Sequence, residues 1–267
     1  MSATRVIVTR PVREAGRWVD DLRAAGFDAV ALPLIGIEAV DDVAPLQFAW
    51  RTLDRYAAVM CVSAAAVEEF FKQKEAVTPA SHARDAMNSI ARPRWWATGP
   101  GTGRAMREAG VPPDRIDMPA PDATRLDSEA LWERVQKQIG PGARVLIVRG
   151  GDAAGNATGR DWLANEVTAA GGERDTVVAY RRLQPAFGAA ETQLAAEGAA
   201  GRAIWLFSSS ESIGHLLRAM PGVPWSGARA VVTHPRIGEA ATAAGFGAVC
   251  LSQPRRDALV ASIESLA

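Results

Sequence analysis

Apolar positions along the chain follow two spacings, and the same order of spacings occurs twice. The first stretch opens with a short β-rich run, "VIVT" at 6–9, and continues with apolar residues at the spacing of a helix. These helical positions are Ala15, Trp18, Val19 and Leu22. Gly26 marks the end of the helix, since glycine is favoured just beyond a helix C-terminus, and "FDAVALPL" at 27–34 predicts a second strand. The pattern predicts a strand–helix–strand unit.

A second stretch repeats this pattern in the same order. "VLIV" at 145–148 predicts the strand, Leu163, Val167 and Ala170 indicate a helix that ends at Gly171, and "TVVAY" at 176–180 predicts the next strand. Three further pairs of segments match downstream: 59–71 with 205–217, 95–111 with 230–246, and 128–136 with 256–264. Four matches in one order indicate duplication of a unit of more than about one hundred residues, which is too long for a solenoid repeat.

Alternating strands and helices favour an α/β fold, in which parallel strands are joined by right-handed crossovers and helices cover both faces of the sheet. Ligands of such sheets bind beyond the carboxyl ends of the strands. The segments at these ends are rich in glycine and small hydroxylated residues: "TRP" at 9–11, "VSAA" at 62–65, "TGPGT" at 98–102, "VRGG" at 148–151, "SSSES" at 208–212 and "THPRI" at 233–237. Their backbone amides and hydroxyls suit an anionic ligand at helix N-termini.

Composition narrows the class of protein. The 267 residues are 48% hydrophobic and 22% charged, which fits a globular chain with a large core. Thirty basic residues balance thirty acidic ones without a block of either sign, so we expect neither a nucleic-acid partner nor a membrane surface. We expect no signal peptide and no membrane span. Cys61 and Cys250 lie in apolar runs and are expected to be reduced core residues of a cytoplasmic protein.

Candidate chemistry at the strand ends has more than one interpretation. "GPGTG" at 99–103 lacks the dinucleotide-binding spacing, and "GGDAAGNATG" at 150–159 lacks the lysine of a phosphate loop, so a nucleotide role is disfavoured. The three histidines do not have the spacing of a metal site; His215 is expected to be structural, and His234 is placed to face a ligand. These histidines are His82, His215 and His234.

The hydroxylated residues and arginines at the strand ends have either a structural or a ligand-binding role. The hydroxylated residues Ser63, Thr102, Ser208 and Ser209 are either helix N-caps or ligand contacts, and the two roles are compatible. Arg10 and Arg149 occupy equivalent positions of the repeat and are either solvated charges or partners of a carboxylate or phosphate. Trp95 and Trp96 are neighbours in one strand, so one of them is expected to face solvent or an interface.

The order of several motifs resembles the uroporphyrinogen-III synthase family over nearly the whole chain. The motifs are "VIVTRP", "LPLIGIEAV", "VSAAAVEEFF", "GPGTGRAMREAGV", "DSEAL", "LIVRG" and "VVAYRR". The resemblance implies two doubly wound parallel-sheet domains joined by a two-stranded linker, with one domain inserted into the other. Domain 1 would comprise 1–35 and 184–267, and domain 2 would comprise 41–177. The linker strands would be 36–40 and 178–183.

The resemblance also implies a reaction. It is the closure of the linear tetrapyrrole hydroxymethylbilane to uroporphyrinogen III, with loss of water and inversion of ring D, and it uses no metal or organic cofactor. Tyr180 matches the family's linker tyrosine, the candidate for assisting water loss, and a phenol stays protonated at neutral pH. The alternative is an ordinary linker tyrosine that packs its ring.

Other residues match the family's substrate-binding motifs. Ser63 matches the serine of the family's "TS" motif, in which Val62 replaces the threonine, and Thr102 matches the threonine after its "VG-x-x" motif. In the other half, Ser208 and Ser209 stand at the position equivalent to "TS". Arg10 and Arg149 are further candidates for binding the substrate's carboxylates. The sequence departs from the family at His234, which replaces a glycine, and at Ile237, which replaces a threonine.

A second function remains open at this stage. It is a non-catalytic, two-domain binding or regulatory protein that takes an anionic metabolite. Tyr180, Ser63 and Thr102 favour the enzyme, whereas His234 and Ile237 favour the alternative. For the enzyme, we expect a cytoplasmic monomer that acts on a small molecule.

Overall fold

The computed structural model describes residues 3–77, 92–120 and 127–267. The chain forms two compact units. Unit 1 comprises residues 1–36 and 183–267, and unit 2 comprises residues 37–182. The expectation that these units are domains joined by linker strands stays a prediction.

The strands, in chain order, are β1 (Arg5–Val8), β2 (Asp28–Ala31), β3 (Gly36–Ala39), β4 (Ala58–Cys61), β5 (Arg94–Ala97), β6 (Ile116–Asp117), β7 (Arg144–Gly151), β8 (Glu173–Leu183), β9 (Ile204–Phe207), β10 (Arg229–Val232) and β11 (Ala248–Leu251). The sheet of unit 1 has the order β11-β10-β9-β1-β2. The other sheet has the order β3-β8-β7-β4-β5-β6. The pairs β1–β2, β1–β9, β9–β10, β10–β11, β4–β5, β5–β6, β4–β7 and β7–β8 are all parallel. The predicted α/β class is confirmed.

Helices connect these strands. They span Val12–Arg23, Ala44–Arg51, Ala64–Val77, Pro100–Glu108, Ser128–Val135, Trp162–Ala169, Ala189–Ala199, Ser210–Ala219, Pro235–Ala243 and Arg256–Leu266. Short 3-10 turns lie at Leu53–Arg55, Pro113–Arg115 and Gln136–Gln138. The two helices predicted from the repeat are confirmed, and the glycines beyond them, Gly26 and Gly171, have φ of +93° and +83°, a conformation that glycine adopts without strain. None of the helices in the described ranges is long and apolar enough to cross a membrane.

The two sheets are built alike from exchanged halves of the repeat. Pairing strands by the matching segments makes β1 equivalent to β7, β2 to β8, β9 to β4 and β10 to β5. The order β10-β9-β1-β2 then corresponds to β5-β4-β7-β8. Each unit therefore combines the first strand–helix–strand segment of one copy with the later strands of the other copy.

Both faces of each sheet are covered by apolar side chains, which corrects one expectation. Trp95 and Trp96 are both fully buried in β5, on opposite faces of the sheet. Trp95 packs with Trp50 and Phe71, whereas the indole N–H of Trp96 donates to Gln138 Oε1 at 3.0 Å. The prediction that one of them faces solvent or an interface was wrong, because helices lie on both faces of a doubly wound sheet.

The cysteines differ in burial. Cys61 is fully buried in β4, and burial raises the pKa of its thiol. Cys250 is only partly buried, because β11 is the edge strand of its sheet. Both are free thiols, and only Cys61 fits the prediction of a core residue.

Candidate active site

In each sheet, two neighbouring central strands are followed by connections that run in opposite directions along the sheet. Candidate residues lie at the carboxyl ends of these two strands. In unit 2 these strands are β4, which continues to β5, and β7, which continues to β8. Ser63 follows β4, and Arg149 lies near the end of β7. In unit 1 the equivalent position lies between β9 and β1, which are followed by Ser208 and Arg10. Such switch points are where open α/β sheets bind ligands.

Ser63 is a helix cap and also contacts Tyr180. It immediately precedes the helix Ala64–Val77, and the backbone N–H of Ala66 donates to its Oγ at 3.1 Å. The same Oγ lies 3.1 Å from the hydroxyl of Tyr180, 117 residues away, and either hydroxyl can be the donor. Tyr180 is only 4% exposed, whereas Ser63 is half-buried. The N-cap interpretation of Ser63 is therefore confirmed, together with a contact to the second candidate hydroxyl.

Thr102 lies on the next helix along the sheet. The helix Pro100–Glu108 has Gly99 as its N-cap in an extended conformation, so Thr102 stands in the first turn and is 6% exposed. The N-cap interpretation of Thr102 was wrong, because Pro100 fills the first helical position three residues after Ala97 ends β5. Thr98 ties this segment to the end of β4 by donating from Oγ1 to the Val62 carbonyl at 3.2 Å.

Arg149 is a buried cation held by the loop that follows its own strand. Its Nη1 lies 2.6 Å from Asp161 Oδ1, and its Nη2 donates to the Arg160 carbonyl at 3.2 Å. The side chain is 7% exposed, and its Nε has no hydrogen-bond partner among the described residues. Asp161 was missed by the sequence reasoning, although an acidic residue ending a glycine-rich loop after a buried arginine is a usable signal.

The loop after β7 is organised from within. Asp152 Oδ1 accepts from the backbone N–H groups of Ala154 and Asn156, each at 2.9 Å. The Asn156 N–H is the largest cause that holds the pKa of the Asp152 carboxyl below its usual value. Gly155 and Gly159 have φ of +84° and +111°, which other residues rarely adopt. The loop thus presents Asp161 to Arg149 in a defined conformation.

Arg10, the equivalent of Arg149 in unit 1, is bound within its own segment. Its Nη1 lies 2.6 Å from Glu14 Oε2, and its guanidinium carbon lies 4.2 Å from the ring centroid of Trp18. The contacts of Arg10 and Arg149 are compatible with further binding to a carboxylate, since guanidinium groups carry five N–H donors. Their role towards a ligand stays a prediction.

The strand ends of unit 1 carry helix caps. The N-cap interpretation is confirmed for Ser209, which precedes the helix Ser210–Ala219 and accepts from the Glu211 N–H at 3.2 Å. It was wrong for Ser208, which is half-buried one residue before the cap. His234 caps the helix Pro235–Ala243, because its Nδ1 accepts from the Arg236 N–H at 3.2 Å. Ile237 is 6% exposed and packs into the core of unit 1.

The other two histidines are His215 and His82. His215 is 5% exposed, and its Nδ1 donates to the Leu34 carbonyl at 2.5 Å, which confirms the expected structural role. His82 lies outside the described residues. Within residues 3–77, 92–120 and 127–267, no three His, Cys, Asp or Glu side chains are grouped as metal ligands would be.

A family model and two solved structures that resemble this chain all carry the name of uroporphyrinogen-III synthase or synthetase. The family model described as "Uroporphyrinogen-III synthase HemD" matches residues 16–261 of the chain. A mutant uroporphyrinogen III synthase from the extremely thermophilic bacterium Thermus thermophilus is 16% identical, covers 99% of this chain and 98% of its own, and has a TM-score of 0.59. Uroporphyrinogen-III synthetase from Helicobacter pylori is 12% identical, covers 100% of both chains and has a TM-score of 0.59. At these identities the structural likeness shows the fold.

Proposed function

We propose that this chain, which belongs to the uroporphyrinogen-III synthase family, uses the hydroxyls of Tyr180 and Ser63 together to assist the loss of water from a linear tetrapyrrole. The family match makes the chain an enzyme of tetrapyrrole biosynthesis with uroporphyrinogen-III synthase activity. The observation that carries the assignment to this pair is the 3.1 Å contact between the two hydroxyl oxygens at the carboxyl ends of β8 and β4.

The proposed substrate is hydroxymethylbilane, whose chemistry makes modest demands on side chains. An electron-rich pyrrole expels the terminal hydroxyl, the carbon–oxygen bond breaks, and a cationic azafulvene remains as water leaves. Ring D attacks this carbon through its substituted position and forms a spiro intermediate. That intermediate fragments and closes again with ring D inverted, and the proton released on rearomatisation balances the one taken by the leaving hydroxyl. Holding one folded conformation is therefore the enzyme's main task.

The hydroxyl pair has a defined part in this sequence. A hydrogen bond from the phenol of Tyr180 to the departing hydroxyl stabilises it as it becomes water, and general-acid assistance of this kind is typically worth ~10²–10⁴-fold in rate. Ser63 fixes where the phenol oxygen lies, because its own position is set by the cap bond from the Ala66 N–H. Ser63 is also half-buried, so its side of the pair is partly accessible at the strand end, whereas Tyr180 is buried.

The substrate's acetate and propionate arms call for hydrogen-bond donors at several strand ends. We assign this binding to Thr102, Ser208 and Ser209 with the backbone amides beside them, and to Arg10 and Arg149 as guanidinium partners. Supporting this assignment, Ser63 and Ser209 are the N-caps of equivalent helices of the repeat. We further propose a cytoplasmic monomer; its two free cysteines fit a reducing compartment.

The test is turnover and product identity with freshly generated hydroxymethylbilane. Tyr180→Phe is expected to lower kcat by ~10²-fold or more, because it removes the assisting donor. Its residual product is expected to remain mostly isomer III, since the shape of the whole site selects the isomer. Chromatographic separation of isomers I and III measures both quantities.

Tyr56→Phe is the matched control. Tyr56 and Tyr180 are the two tyrosines of the chain, and Tyr56 donates to Asp175 Oδ2 at 2.8 Å, away from the carboxyl ends of the strands. This control is expected to keep kcat and the product ratio of the parent. An unchanged kcat in Tyr180→Phe would remove the phenol from the mechanism, and isomer I as the parent's sole product would contradict the activity itself.

A further inference from the structure

The backbone of β8 is irregular where it meets Gly150. Arg149 pairs with Val178, but the next residue, Gly150, pairs with Tyr180, so Ala179 is an extra residue in β8. Strand residues normally alternate between the two faces of a sheet, and a bulge breaks this alternation. Val177, Ala179 and Tyr180 all contact the same core cluster of unit 2. The bulge therefore turns Tyr180 to the face that Ala179 already occupies.

The ring of Tyr180 lies on the backbone of Gly150. A methyl carbon placed at Gly150 would be 2.6 Å from ring atoms Cε2 and Cζ of Tyr180 and 2.9 Å from its hydroxyl oxygen. Real side chains do not approach so closely. Gly150 is not among the glycines of positive φ, so conformational freedom does not explain why glycine occupies this position. The requirement is space.

Three neighbouring strands line up at this point. Cys61 of β4 pairs with Val148 of β7, and Ser63 and Gly150 each follow this pair by two residues. Gly150 in turn pairs with Tyr180 of β8. Strands are spaced ~4.8 Å apart, so β4 and β8 are separated by ~10 Å across β7. Tyr180 spans this separation and reaches Ser63 Oγ at 3.1 Å. It does so where β7 has no side chain.

We propose that Gly150 is a positioning residue for the reaction: its bare backbone, together with the bulge at Ala179, seats the Tyr180 ring so that the phenol meets Ser63. Gly150 does not touch the reacting atoms and acts only through Tyr180. The inference rests on the proposed function of Tyr180 in water loss.

Gly150→Ala is the first experiment, with Gly140→Ala as the matched control. A methyl at Gly140, also in unit 2, meets no atom within 4 Å. Gly150→Ala is expected to lower kcat to the level of Tyr180→Phe, a loss of ~10²-fold or more, with a smaller change in KM. In the Tyr180→Phe background it is expected to lower kcat no further. A merely structural role would lower kcat by the same factor in both backgrounds, and that result overturns the inference.

A second readout does not depend on turnover. With tyrosine labelled by ¹³C at Cζ, the chain gives two NMR resonances, and Tyr56→Phe identifies that of Tyr180. Gly150→Ala is expected to shift the Tyr180 resonance, and Gly140→Ala is expected to leave it unchanged. An unmoved resonance in Gly150→Ala, with Tyr180→Phe still impaired, overturns the inference alone. A shifted resonance with full turnover overturns the role of Tyr180, and the inference with it.

A double variant covers the case in which Gly150→Ala does not fold. The atoms within 4 Å of the added methyl that lie closest all belong to Tyr180. Adding Tyr180→Ala removes the ring and is expected to restore the folded state, as judged by circular dichroism and the labelled Tyr56 resonance. Failure of Gly150→Ala/Tyr180→Ala to fold, when Tyr180→Ala alone folds, overturns the inference.

Discussion

Ser63→Ala removes two hydrogen bonds at once, and the duplicated chain supplies its own reference. In the parent, Ser63 Oγ accepts from the Ala66 N–H and contacts the Tyr180 hydroxyl, each at 3.1 Å. Ser209 is the equivalent residue of unit 1 and accepts from the Glu211 N–H at 3.2 Å. Tyr180 follows Gly171 by nine residues, and the residue nine positions after the equivalent Gly26 is Ile35. Ser209→Ala therefore removes a cap without a tyrosine partner.

The expected magnitudes follow from these contacts. Losing a serine N-cap costs about 1 kcal/mol of stability. A hydrogen bond between neutral groups contributes about 1 kcal/mol net. Ser63→Ala is therefore expected to destabilise the protein by about 2 kcal/mol, and Ser209→Ala by about 1 kcal/mol. Ser63→Ala should also lower kcat, because the phenol loses the group that fixes its oxygen.

Equilibrium urea unfolding measures the loss of stability in each variant. Amide hydrogen exchange then assigns the loss to residues of unit 1 or of unit 2. A double-mutant cycle of Ser63→Ala with Tyr180→Phe isolates the hydroxyl–hydroxyl term, expected at about 1 kcal/mol. Equal losses in Ser63→Ala and Ser209→Ala, together with a coupling near zero, would show that the two hydroxyls do not stabilise each other and would refute the reasoning.

Two further predictions concern stability. Burial, and then its hydrogen bond to Asp175, raise the pKa of Tyr56 to about 12, so its contribution is present below the unfolded phenol's pKa of about 10 and is lost as pH rises towards 12. Urea unfolding between pH 8 and pH 11.5 should show this loss in the parent and not in Tyr56→Phe; parallel curves would contradict it. Gly198→Ala should destabilise by about 1–3 kcal/mol, because its methyl would lie 2.6 Å from ring atoms of Trp205. Gly16→Ala, a helical position with no atom within 4 Å, should instead stabilise by about 0.5–1 kcal/mol; a gain of stability in Gly198→Ala would refute the packing argument.

Elements with a strong local pattern could be predicted from the sequence. The helix with Ala15, Val19 and Leu22 buried on one face follows from spacing alone, and so does its end before Gly26. The expectation for Trp95 and Trp96 failed because an isolated strand does not reveal that helices cover both of its faces. Burial on the second face is a property of the whole topology.

In the candidate site, too, local features could be predicted from the sequence and contacts between distant residues could not. Ser63 as a cap is visible from the residues around it, since serine precedes a predicted helix. Its contact with Tyr180 joins residues 117 positions apart and depends on the extra residue Ala179, which no periodicity signals. The substitution of glycine by His234 was visible as a departure, but its physical use, an imidazole nitrogen capping a helix, appears only with the backbone in place.

The exchange of halves between the two units has a consequence for synthesis on the ribosome. β1 lies between β2 and β9 in its sheet, so one of its neighbours is about two hundred residues away in the chain. At about 5–20 residues per second, the nascent chain carries β1 for ~10–40 s before β9 is made. Arg182, the last residue of unit 2, is made 22 residues before Ile204 begins β9, whereas Val6, Ile7 and Val8, fully buried in the finished protein, remain without β9 beside them for the whole interval. Premature termination between residues 182 and 204 would therefore release a complete unit 2 attached to an apolar strand that lacks one of its neighbours, a state that invites aggregation and engages chaperones.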